Sequence, residues 1–326
     1  MCERKAPRDF IGPILLALAE HNPNIVLVDA DFRVASKITS FQDRFPDRFI
    51  EVGIAEQNMM GIAAGLSTVG YIPVVSTIAT FISRRACDQV TTSIALSGLN
   101  VKLLGLYAGL FVGKNGASHQ SLEDIAIMRA IANMVVLQPA DVVETKQMLE
   151  FAVKYHGPVY IRIGRDPVPQ FLPDDYRFQL GKSINLRDGN DVTLISYGDL
   201  LEETLLASDH LAKKGVQCRV INMSSIKPID EQAIILAAEE TGGIVTVDNH
   251  NIYGGVGSAV CEVVAENKPV KVKRIGVRDV FGKSGTEEQM RKKFGLTAMD
   301  IEQVVLRFIS QRNHHENKSI FNDVIN

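Results

Sequence analysis

The chain of 326 residues is 46% hydrophobic and 22% charged with a net charge of −3, which fits a globular protein with material for about two domains. That charge gives no electrostatic case for nucleic acid or an anionic membrane surface, and no apolar run reaches the ~18 residues of a membrane-crossing helix. Cys2, Cys87, Cys218 and Cys261 include no close pair, so neither a paired-cysteine metal site nor a disulfide framework is indicated, and with no apolar signal core at the N-terminus a cytoplasmic, reducing location is expected.

In chain order, a helical pattern over residues 13–21 precedes a Val/Ile/Leu run at 25–29. Further strand-like runs follow at 72–77, 101–107, 134–138 and 159–163, with helix-length segments at 83–97 and 141–155. Beyond residue 188 the same alternation resumes, with strands expected at 192–197, 218–223, 244–248 and 272–276 and helices at 202–214 and 230–241. Runs this uniformly apolar suit parallel strands buried on both faces, and βα repetition predicts an α/β fold with open, mostly parallel sheets. Residues 166–188 are rich in Pro, Asp and Arg without periodicity and read as the link between two α/β domains, whereas the polar residues 313–326 read as a loosely held tail.

Functional groups in such sheets gather beyond the carboxyl ends of the strands. Glu56 is the one carboxylate between Val52 and Leu66, in a segment of small and apolar residues that reads as a closely packed helix. It is either a first-turn acid favoured by the helix dipole or a deliberately buried group. Phe81 falls just past the strand at 72–77, His119 in the glycine-punctuated loop after 101–107, and Arg165 at the end of 159–163. A carboxylate, an aromatic ring, an imidazole and a guanidinium are thereby brought toward one rim. The chain has no Walker A loop and no GxGxxG in a βα turn; GGVGSAV at 254–260 reads as tight helix packing.

GIAEQN at 53–58, the STxxxF pattern at 76–81 and GKNGASHQ at 113–120 occur in that order. With them, residues 8 to 309 resemble the C-terminal two-thirds of a transketolase, and still more the separately encoded C-terminal subunits of split transketolases. VDNHNIYGGVGSAV at 247–260 is similar to the C-terminal domain of that family and of deoxyxylulose-phosphate synthases. The resemblance implies a thiamine-diphosphate pyrimidine-binding domain at 1–172 followed by a transketolase C-terminal domain at 173–312. It also implies roles: Glu56 hydrogen-bonded to the aminopyrimidine ring, Phe81 stacked on it, Asp31 buried near the cofactor, and Arg84 in a position shared with the synthases. His119 would contact the substrate near the reacting carbon, and Arg165 and Arg8 would bind a substrate phosphate, with Ser36 adding a hydroxyl at a register uncertain by one residue. Asn115 stands where the family has an acid that contacts substrate hydroxyls, which leaves the sugar preference open.

The family holds Mg²⁺ and the cofactor diphosphate through a GDG motif, and none occurs in this chain. An N-terminal partner subunit is therefore expected to bring that half of the site, in an A2B2 assembly. The implied activity is transfer of a two-carbon ketol unit from a ketose phosphate, or an analogue, to an aldose acceptor. The alternatives are a deoxyxylulose-phosphate-synthase-like enzyme, another thiamine-diphosphate enzyme subunit, and a non-catalytic regulatory subunit that keeps the fold.

Overall fold

A computed structural model of the chain describes residues 3–323, with side chains described as far as Arg312. The runs of Val, Ile and Leu form the strands β1 (Ile25–Asp29), β2 (Phe49–Glu51), β3 (Ile72–Ile78), β4 (Lys102–Leu106), β5 (Val135–Leu137) and β6 (Val159–Ile163). The later half contributes β7 (Ile184–Arg187), β8 (Val192–Ser196), β9 (Cys218–Asn222), β10 (Ser225–Lys227), β11 (Gly243–Asn251) and β12 (Lys271–Val277). Every residue of β1, β4, β6 and β8 is buried, as parallel strands covered by helices on both faces require. Each Val, Leu or Ile so buried contributes roughly 1.5–3 kcal/mol.

Two sheets result, ordered β10-β5-β6-β4-β3-β1-β2 and β12-β11-β8-β9-β7. All pairings are parallel except β10 on β5 and β7 on β9, both antiparallel edges. The expected link at 166–188 is irregular up to Ser183, but its last part becomes β7. The strand β10 belongs to the later half of the chain and closes the edge of the first sheet, so the two halves share a hydrogen-bonded edge. Its Lys227 Nζ donates to the carbonyls of Arg129 and Ile131 at 2.8 and 2.6 Å.

The helices are α1 (Ile11–His21), α2 (Thr39–Arg44), α3 (Glu56–Thr68), α4 (Asp124–Ala130), α5 (Val142–Lys154), α6 (Leu201–Ala212), α7 (Glu231–Thr241), α8 (Val256–Asn267), α9 (Glu287–Phe294) and α10 (Ala298–Asp323). Side-chain caps start α5 and α7, where Asp141 and Asp230 accept from the backbone N–H groups of Glu144 and Ala233. The helix expected at 83–97 is instead two π-helical stretches, Phe81–Arg85 and Gln89–Ala95, a rare, wider register that is frequent at functional sites. Over the polar stretch expected as a tail, the helical backbone of α10 runs on to Asp323, and residues 324–326 lie outside the described residues. Tight packing at the glycine-rich turn before α8 is observed. A Cβ on Gly257 would stand 2.6 Å from Thr246 Oγ1, and the Gly257 N–H is capped by Asp248 Oδ2 at 2.9 Å.

A buried polar network joins the halves behind the site. Arg162 on β6 donates to Asp124 Oδ2 at 2.8 Å, Gln138 Oε1 at 2.6 Å and the Asn249 carbonyl at 2.7 Å. Tyr160 donates to the same Asp124 oxygen at 2.7 Å. Asn249, on β11, in turn accepts from the Leu110 N–H and donates to Asp199, both at 2.8 Å. These contacts fix the loop carrying His119 against both domains.

Candidate active site

Helix α3 opens at Glu56 because Gly53, at φ +70°, turns the chain away from β2. Glu56 is only 2% exposed. Its partner is Arg85, whose Nη1 donates to both carboxylate oxygens at 2.9 and 2.8 Å. The Arg85 guanidinium also lies over the Phe81 ring, 4.2 Å from its centroid. His119 packs edge-on against Phe81 with ring centroids 5.3 Å apart, and its Nδ1 meets the Ser118 hydroxyl at 2.9 Å. The structure thus brings together Glu56, Phe81 and His119 from three segments that are far apart in the chain. A buried carboxylate beside an aromatic face is a donor set that fits an aminopyrimidine. Among the described residues no group of three or more His, Cys, Asp or Glu is placed to hold a metal ion.

A second concavity, of about 510 Å³, is lined by Arg8, Asp31, Phe32, Arg33, Lys37, Tyr107 and Arg165, among others. Tyr107 organises it: Arg8 donates to the Tyr107 hydroxyl, and the guanidinium carbons of Arg8 and Arg165 lie 5.1 and 5.3 Å from the ring centroid. Arg165 is further held by the Val112 carbonyl at 3.0 Å. Tyr107 sits at φ +54°, a conformation costly for a side chain of its size and kept only where surrounding contacts enforce it. Two guanidiniums fixed on one ring at a strand end suit an oxyanion such as a phosphate.

The other residues singled out in the sequence lie as follows. The buried acid of VDADF is Asp29, at 0% exposure, whereas Asp31 is exposed and lines the Arg8 pocket; the chain leaves β1 between them, with Asp31 at φ +53°. Ser36 is fully buried and its hydroxyl donates to the Phe32 carbonyl within its own turn, so the exposed Lys37 borders the pocket in its place. Arg84 donates to Thr80 Oγ1 at 2.7 Å and pairs with Glu123 at 3.0 Å, while its neighbour Arg85 faces Glu56. Asn115 lies exposed on the loop before His119. The sequence reading missed Arg85, Tyr107 and Arg33. The Arg-Arg doublet and the Tyr at a strand end were the only signals available for the first two.

Asp29 supports the pocket from below, accepting from the N–H groups of Phe32 and Arg33 at 2.7 and 2.8 Å. Burial, with the Glu51 carboxylate nearby, raises its pKa from 3.8 to about 7. In the window between those values the folded chain binds more protons than the unfolded one, so Asp29 makes stability fall as pH rises from about 4 to 7. Asp29→Asn keeps an acceptor for the two N–H groups and is expected to flatten that dependence. Denaturant midpoints at about pH 5 and 8, on either side of the folded-state pKa, check this; an unchanged pH profile would remove Asp29 as its source.

Residues 4–170 match the family model of the transketolase pyrimidine-binding domain, and residues 181–301 that of the transketolase C-terminal domain. The chain belongs to the transketolase family, as the C-terminal subunit of a split, thiamine-diphosphate-dependent, transketolase-like transferase. It is 42% identical to the 6-deoxy-6-sulfo-D-fructose transketolase subunit SqwH of Clostridium sp. (strain MSTE9), over 94% of this chain and 95% of that one. It is 40% identical to an apulose-4-phosphate transketolase subunit of Phocaeicola vulgatus, over 94% of this chain and 98% of that one. Among solved structures, a split-gene transketolase described as an inactive beta4 tetramer superposes with a TM-score of 0.88 at 43% identity, covering 94% of this chain and 98% of that one. The transketolase of Campylobacter jejuni shares the fold, with a TM-score of 0.78 at 22% identity over 94% of this chain and 47% of that one.

Proposed function

We propose that this subunit transfers a two-carbon ketol unit from a ketose bearing a distal phosphate, or a like oxyanion, to an aldose acceptor. When bound, thiamine diphosphate supplies a carbon nucleophile in its thiazolium ring. This chain's residues serve it from one side. The Glu56 carboxyl would hold a proton at the pyrimidine ring nitrogen opposite the amino group, and Phe81 would stack on the ring face, worth roughly 0.5–1.5 kcal/mol beyond burial. Ser118 engages His119 Nδ1, which leaves Nε2 to donate to, or accept from, the donor's hydroxyl and carbonyl oxygens near the reacting carbon. Arg8 and Arg165 on Tyr107 would grip the distal anion. The convergence of Glu56, Phe81 and His119 carries the reading.

The diphosphate and Mg²⁺ would sit on the N-terminal partner subunit, in an A2B2 assembly. The absence of GDG from this sequence supports that division. Two relatives point to anionic donors: the name of one specifies a 6-sulfo sugar and that of the other a 4-phosphate. Neither fixes the sugar for this chain, and Asn115 leaves its stereochemistry open. A cytoplasmic location is part of the proposal; among the described residues no helix is long and apolar enough to cross a membrane.

The test is ketol transfer by the reconstituted pair, with phosphorylated and unphosphorylated ketoses as donors. Arg165→Ala is expected to raise KM for the phosphorylated donor about 10- to 100-fold, as for loss of a charge-assisted hydrogen bond, with kcat little changed. An equal loss on the unphosphorylated donor would remove Arg165 from the anion site. Turnover by this chain without a partner would refute the two-subunit site.

A further inference from the structure

In the chain by itself the space between Phe81 and Glu56 is filled by Arg85. Its planar guanidinium stacks over the ring at 4.2 Å from the centroid, and its Nη1–H groups face both Glu56 oxygens at 2.9 and 2.8 Å. A flat, N–H-bearing group stacked on Phe81 and donating to Glu56 makes the same two contacts assigned above to the aminopyrimidine. One ring face and one carboxylate cannot serve both at once. We infer that Arg85 is a placeholder for the cofactor's pyrimidine, occupying its subsite in the unliganded subunit and leaving when the ring enters. The inference rests on the proposed roles of Glu56 and Phe81.

The surroundings favour such an exchange. The Arg85 side chain is 46% exposed while Glu56 is 2% exposed, so the guanidinium covers the carboxylate from the solvent side and has open space into which to withdraw. The backbone stays in place, because Gln57 Nε2 donates to the Arg85 carbonyl at 3.1 Å. Rotation of one side chain therefore empties the subsite without disturbing α3 or the π-helical turn that carries Phe81. Without Arg85 or the ring, a nearly buried carboxylate would have no charged partner, a costly state. Arg85 relieves that cost before the cofactor arrives. A cation exposed on one side is held weakly enough to be displaced.

The test is calorimetric titration of thiamine diphosphate with Mg²⁺ into the reconstituted pair, comparing wild type with Arg85→Ala and Arg85→Gln, and with Glu56→Gln and Phe81→Ala as references. Removing the competitor is expected to tighten binding about two- to fivefold in Arg85→Ala, the size of one partly exposed ion pair, with a smaller gain in Arg85→Gln. Unchanged or weaker binding by Arg85→Ala, with Glu56→Gln and Phe81→Ala both weakened, overturns the placeholder and leaves the subsite assignment standing. Unchanged affinity in all four variants removes the subsite assignment and the placeholder with it.

Discussion

Glu56→Gln is expected to lower turnover of the reconstituted enzyme by about 10²- to 10⁴-fold, the range for loss of a positioned general acid–base group, while leaving the fold intact. Glutamine matches glutamate in size, and its amide oxygen can still accept from Arg85. Stability should change by no more than about 1 kcal/mol, because the ion pair that is lost has a half-exposed partner. What the amide cannot do is hold and release a proton at the pyrimidine nitrogen. The competing account, an acid at a helix start, is worth only about 0.3–1 kcal/mol of stability and nothing in rate. Turnover measured beside thermal unfolding separates the two, and near-normal turnover would reduce Glu56 to a helix-start acid.

The strands were legible because parallel strands buried on both faces are apolar along most of their length, as in IVLVD and VYIRI, where Asp29 and Arg162 are the charged exceptions. The short antiparallel edges β7 and β10 carry no such run, since an edge strand needs little apolar surface, and neither was visible. Motif spacing located Glu56, Phe81 and His119, but spacing says nothing about side-chain direction. A π-helical turn advances less per residue than an α-helix, so α-helical periodicity could not tell which arginine of the doublet at 84–85 would face Glu56. Likewise, the left-handed residues Asp31 and Tyr107 bend the chain at the ends of β1 and β4. They decide that Asp29 is buried, that Asp31 is exposed, and that Tyr107 lies between two guanidiniums. A positive φ at Asp or Tyr leaves no mark in composition or periodicity, so that half of the site could be read only from the folded backbone.

The largest expected loss of stability lies behind the site, at Asp124→Asn. Asp124 and Arg162 are both 0% exposed, with Arg162 Nε 2.8 Å from Asp124 Oδ2. Burial alone would push the Asp124 carboxyl up, but Arg162, His250 and the Tyr160 hydroxyl together outweigh it and hold the pKa below 3.8. The pair's contribution is therefore present above pH 3.8 and lost as the pH falls further. Neutralising Asp124 leaves a buried guanidinium without its counter-charge, which costs about 3–5 kcal/mol. The exposed pair of Arg129 with Glu262, at 2.6 Å and with Glu262 60% exposed, is a fair control, and Glu262→Gln is expected to cost under about 1 kcal/mol. The difference is environment, not distance, since the weaker pair is the shorter. Denaturant unfolding at neutral pH measures both variants. The Asp124 variant should also lose activity beyond its loss of folded protein, because Arg162 Nη2 donates to the Ser121 carbonyl at 3.2 Å, close in the chain to His119, and a shifted arginine moves that loop. A cost at Asp124 no greater than at Glu262 would show that the network relaxes around a neutral partner, and that the His119 loop is held by other contacts.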